Sequence, residues 1–129
     1  FYPVFLDSEF TSVLKASGIM ERGEVIEHEF IMDPADCQKR EAWNAVQKEL
    51  LHLERPSYKL IADHIDHVVG LVGVDHVGFG SDFDGIAVAP DGMENASCFY
   101  RILDELRDRG YTEEELENIA GDNFFRLMA

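Results

Sequence analysis

Gly73-Val74-Asp75-His76-Val77-Gly78-Phe79-Gly80-Ser81-Asp82-Phe83-Asp84-Gly85 is the stretch on which the fold turns. Val74 to Gly80 is a β-like run, and Ser81 to Gly85 gives it a polar end. Upstream, Leu60, Ile61, His64, Ile65, Val68 and Leu71 mark one face of a helix that Ser57 can cap, with Gly70 and Gly73 loosening its end. A helix feeding a strand of this kind is half of a βαβ unit. The expected fold class is α/β.

Towards the amino end, Phe1 to Leu6 is a short apolar run with the pattern of a strand covered on both faces, against which Pro3 counts. Asp7 to Pro34 keeps no sustained period, although Phe10, Val13 and Leu14 could form one helical turn. It is expected to be a long lid-like loop over residues 7–33. Asp33 can cap a helix over Pro34 to Glu54, where Cys37, Trp43, Val46, Leu50 and Leu53 recur until Arg55-Pro56 stops the run.

Towards the carboxyl end, Ile86 to Glu94 reads as a loop with its turn at Pro90-Asp91-Gly92. Phe99, Ile102, Leu103 and Leu106 predict a helix that Gly110 terminates. Thr112 and Glu115 form a capping box opening another, through Leu116, Ile119 and Ala120, and Gly121 to Met128 predicts a last short one. Two strands cannot make a covered parallel sheet, so further strands are expected outside these residues.

The 129 residues suffice for one domain, and 46% hydrophobic content is globular. With 26 acidic against 11 basic side chains, the net charge of −15 repels phosphate backbones and anionic lipid, so no nucleic-acid partner is expected. Cys37 and Cys98 follow no metal or redox spacing and read as ordinary thiols. The longest apolar run, Val68 to Val74, is far shorter than the roughly 18 to 20 residues of a membrane span. The opening residues lack a signal-peptide pattern and an initiator Met, from which the chain is expected to begin within a longer protein. Localisation has no signal here.

Asp82 and Asp84 stand where α/β folds gather ligands and catalysis, at the carboxyl end of a strand. They are catalytic candidates; equally, both could cap the loop or the next helix. A calcium loop is excluded, because its fifth, sixth and twelfth positions are Ile86, Ala87 and Met93. His64 and His67, three apart on one helix, have a spacing that can hold a transition metal. They border an apolar stripe, so a structural reading is preferred, as it is for His28, His52 and His76. Asp63 and Asp66 are expected to bond to nearby backbone or His groups. Phosphate loops, nucleophile elbows and H-E-x-x-H are absent.

Ala62-Asp63-His64-Ile65-Asp66-His67-Val68-Val69 followed by Gly73 to Gly85 closely resembles the membrane dipeptidase (renal dipeptidase) family of zinc peptidases. The resemblance continues through Pro90-Asp91-Gly92-Met93-Glu94, Arg109-Gly110-Tyr111-Thr112 and Gly121-Asp122-Asn123-Phe124-Phe125-Arg126. It implies a (β/α)8 barrel of the amidohydrolase type, of which residues 1–129 are the last two βα units, and two zinc ions at the strand ends. It also implies dipeptide substrates, with Asp82 as the catalytic carboxylate that takes a proton from metal-bound water and delivers it to the leaving amine. Asp84 and Gly85 are left loop-shaping roles. The family's zinc ligands and its carboxylate-binding Arg come from earlier strands, so no metal ligand and no substrate-binding residue is assigned here, and His64 and His67 are no substitutes. The partners implied are a dipeptide, the upstream remainder of the barrel and, compatibly, a second copy in a homodimer. Alone, the chain is expected to be inactive and prone to associate. The alternative is a non-catalytic barrel remnant serving binding or assembly.

Overall fold

Asp7 shapes the amino-terminal third. Its carboxylate accepts the N–H groups of Glu9 at 2.8 Å and Phe10 at 3.3 Å, capping a helix where the sequence suggested a loop. The computed structural model describes residues 2–83 and 85–129. Their helices run α1 Pro3–Leu6, α2 Ser8–Ser17, α3 Ile19–Met32, α4 Cys37–Leu51, α5 Lys59–Val72, α6 Phe99–Asp108, α7 Glu113–Glu117 and α8 Asn123–Met128. A π turn over Asn118–Asp122 joins the last two, and short 3₁₀ turns lie at Val74–His76 and Ala96–Cys98.

The α/β expectation is overturned: among the described residues no strand forms, and the one bridge is an isolated parallel contact between Ser57 and Asp91. Two βα units of a barrel are therefore not what these residues build. The reason lies in pairing. After Gly73, at φ +88°, residues Val74–His76 wind into a 3₁₀ turn, and although Val77 is extended at φ −117° and ψ 140°, no neighbouring strand lies beside it. An extended segment without a ladder partner is not a strand. At the start, Pro3 occupies the first turn of α1, where its missing N–H costs nothing, so the expected strand is helical over Pro3–Leu6; Phe1 lies outside the described residues.

The long loop expected over 7–33 is also corrected. It is α2 and α3, split at Gly18 in the left-handed conformation (φ +64°), and Phe10, Leu14 and Ile19 form its buried face. The weak period misled because Val13, Val25, Ile31 and Met32 stand on the exposed face, so apolar side chains do not mark one side alone. The next helix keeps its place but starts later, capped by Asp36 through Gln38 and Lys39 rather than by Asp33.

From Phe99 to Glu117 the helices follow the expected pattern, although the second stops at Glu117 and a π turn takes in Ile119 and Ala120. Gly110, at φ +98°, ends α6, and Thr112 with Glu115 makes both bonds of the capping box on α7. Two apolar centres result. One joins Phe10, Leu14, Ile19, Val46 and Leu50 with Val88 from the long loop; the other joins α5 to α6 and α7 through Ile61, Ile65, Met93, Ile102, Leu106 and Leu116. Burying each such side chain contributes about 1.5–3 kcal/mol. By contrast Phe124, Phe125, Leu127 and Met128 of α8 are all exposed.

Candidate functional site

The Asp82 segment has no sheet to hold it, so other groups do. Asn123, buried at the head of α8, donates its side-chain amide to the carbonyls of Val74 at 2.8 Å and Val77 at 2.9 Å. The Arg126 guanidinium, one turn on, donates to the Asp75 carbonyl and to Asn123 Oδ1 at 3.3 Å. Beyond them Phe79 stacks on Phe99, centroids 5.1 Å apart, and Phe83 meets the same ring edge-on at 5.9 Å. Asp82 thus sits between two side chains anchored on the start of α6, and is itself exposed.

Its backbone is unusual. Asp82 has φ +53°, the left-handed region that few residues except glycine enter, and aspartate is among those that tolerate it. Gly85 closes the turn by donating its N–H to the Asp82 carbonyl at 3.0 Å. Gly85 also makes room: a Cβ there would lie 2.5 Å from Asp82 Oδ1 and 2.8 Å from Oδ2. Only glycine leaves the carboxylate where it is. Asp84, assigned a loop-shaping role with Gly85, lies outside the described residues.

The chain leaving this turn is tied down at its far end. Tyr58 donates its N–H to the Asp91 carbonyl and Asp91 donates to that of Pro56, both at 2.9 Å, while Arg55 reaches the Ala89 carbonyl at 3.0 Å. Gly92, at φ +87°, lies against the Tyr58 ring and accepts from Arg101 at 2.9 Å, which turns Met93 fully inward. Glu94 is held below the usual carboxylate range by backbone N–H groups, its own first and then that of Gly92, against the effect of burial.

Asp63 and Asp66 have different partners from those expected. Both face Arg109, at 2.7 and 2.6 Å, and Arg109 also meets Glu105 at 3.0 Å. Tyr111 donates its hydroxyl to Asp66 at 2.8 Å, and Lys59 meets Glu105 at 2.9 Å. These ion pairs bind α5 to the end of α6. Burial, then the bond to Asp66, pushes the Tyr111 hydroxyl up to about 12. Glu105 is held low by Lys59 and then Arg109. A group this committed to structure is not free for proton transfer.

His64 and His67 are exposed, and His64 Nε2 lies 3.2 Å from the Leu6 carbonyl, a structural contact. Among the described residues no three His, Cys, Asp or Glu side chains are grouped to hold a metal ion. What the segment offers chemically among the described residues is an exposed carboxylate on a turn whose backbone is held, suited to accepting and returning a proton. Sequence reasoning missed Asn123, Arg126 and Phe99 as the groups that position it. Their partners lie 16 to 51 residues away, and no local period signals such contacts.

The model of the membrane dipeptidase peptidase family matches residues 3–129. Dipeptidase verJ of Clonostachys rogersoniana is 39% identical over 75 residues, covering 58% of this chain and 19% of that protein. Dipeptidase aclJ of Aspergillus oryzae is 43% identical over 68 residues, 53% of this chain and 16% of its own length. Dipeptidase 3 of Homo sapiens is 34% identical over 68 residues, 53% of this chain and 14% of that protein. The matched part thus spans less than a fifth of each of these relatives.

Proposed function

The chain belongs to the membrane dipeptidase family, and from that premise we propose that it is part of an enzyme hydrolysing dipeptides, to which it contributes the catalytic carboxylate Asp82. The observation that carries this reading is the placement of Asp82: exposed, in a left-handed turn, between two aromatic anchors and against a glycine whose added Cβ would displace its carboxylate.

In the proposed reaction Asp82 takes a proton from the attacking water and returns it to the amine of the departing residue. Peptide C–N cleavage needs both transfers, and one fixed carboxylate performs them in turn. Asn123, Arg126 and Phe99 hold the segment that carries that carboxylate; they touch no reacting atom.

Zinc is the proposed cofactor of the whole enzyme. The described residues of this chain do not fit it, since no ligand group is assembled among them; its ligands belong to polypeptide outside these residues, and no step is drawn through it. That remaining polypeptide is the proposed partner, and the exposed Phe124, Phe125, Leu127 and Met128 give α8 an apolar surface to meet it. The test is dipeptide hydrolysis by the full-length protein, before and after chelation. Release of free amino acids that stops on chelation and returns with zinc is expected. An inert, zinc-replete full-length protein would overturn the proposal.

A further inference from the structure

The turn that carries Asp82 borders a second feature. Gly85, on whose backbone the Asp82 carboxylate rests, forms part of the wall of a cleft of about 620 Å³. Three other segments complete the wall: Tyr2, then α3 with Glu24 and Glu27, then α4 with Trp43 and Gln47. Glu24 and Glu27 are three apart on one helix and so share a face. Neither makes an ion pair among the described residues, while the nearby cation Arg22 is spent on Glu49 at 2.8 Å. No lysine or arginine lines the cleft.

The aromatic side is held rigidly. Trp43 stacks on Phe30 with centroids 6.4 Å apart and planes 10° from parallel, and the Tyr2 hydroxyl is directed to Met20 Sδ at 3.8 Å. An aromatic wall beside two exposed carboxylates without ion pairs suits a cationic side chain, whose stem meets the rings and whose charge meets the acids. An apolar side chain would find the rings but gain nothing from the carboxylates.

We propose that this cleft is a substrate subsite that takes the basic side chain of a dipeptide, a lysyl ammonium or arginyl guanidinium. It rests on the dipeptidase reading and adds a substrate class to it: dipeptides bearing a cationic side chain. Three observations converge on it: the cavity, the fixed aromatic wall with unpaired acids, and continuity with Asp82 through Gly85.

The experiment titrates the full-length protein, depleted of metal so that no dipeptide is consumed, with lysyl-glycine and with norleucyl-glycine, which has the same alkyl stem without the ammonium, and reads the heat of binding. Saturable binding, with the lysyl compound at least tenfold tighter, is expected. The double variant Glu24→Gln, Glu27→Gln should erase that preference. Glu114→Gln with Glu117→Gln, both exposed on α7, removes the same charge elsewhere and should leave it intact. Equal midpoints for the two dipeptides, no saturable binding, or equal loss in both double variants would overturn the subsite. No turnover is read, so failure here is separate from failure to hydrolyse dipeptides.

Discussion

Asn123→Ala would remove the buried side chain that, beside Arg126, ties the Asp82 segment to α8. Asn123 is 6% exposed and its amide serves two carbonyls, Val74 at 2.8 Å and Val77 at 2.9 Å. A fully buried carbonyl left without a donor costs about 1–3 kcal/mol. Val74 and Val77 are half-buried, so water satisfies part of the loss and each counts at the low end. The expected destabilisation is about 2 kcal/mol, read as a lowered urea midpoint at unchanged slope. Asn123→Asp keeps the shape but sets a carboxylate against both carbonyls, and should cost at least as much. Amide exchange locates the effect: residues 77–81 should open about 30-fold more often, the equivalent of 2 kcal/mol, while α4 changes no more than the global value requires. A loss below about 0.5 kcal/mol, or unchanged exchange at residues 77–81, would refute the argument that Asn123 positions this segment.

Two further outcomes follow from the same contacts. Tyr111, pushed up to about 12 in the folded chain against 10.0 unfolded, contributes stability that is complete below pH 10 and lost as pH rises from 10 towards 12. Tyr111→Phe should flatten that part of a stability-against-pH curve, and an unchanged slope would count against the Asp66 bond. Gly85→Ala would set a methyl group 2.5 Å from Asp82 Oδ1 in an exposed turn, so the carboxylate must move while the fold stays within about 0.5 kcal/mol. In the full-length enzyme turnover should drop about tenfold or more, and normal turnover would free Asp82 from its placement.

How far the sequence could be read varied with the range of the forces involved. Caps and stops are local, and the Thr112–Glu115 box and the Gly110 stop of α6 were legible because each is decided within a few residues. The strand expected at Val74–Gly80 was not formed, because a strand is a property of two segments, and the second is lacking here. Asp7 escaped notice as a cap because the helix it opens buries few residues, Phe10 and Leu14. For the site, the motif offered Asp82 as the proposed catalytic carboxylate and Gly85 as a loop-shaping residue; that a Cβ at Gly85 would meet the Asp82 carboxylate came only with the structure. The motif gave no sign of the clamp. Asn123 lies 46 residues from Val77, and a buried amide in a short apolar helix looks unremarkable until the carbonyls it serves are placed.

The most direct measurement of whether Asp82 performs the proton transfers is turnover of a dipeptide by the full-length enzyme carrying Asp82→Asn, with zinc content determined on the same samples. The exchange removes one proton acceptor and keeps the side-chain shape. A fall in kcat of about 10²-fold or more with metal retained is predicted. Near-normal turnover by the zinc-replete variant would contradict it.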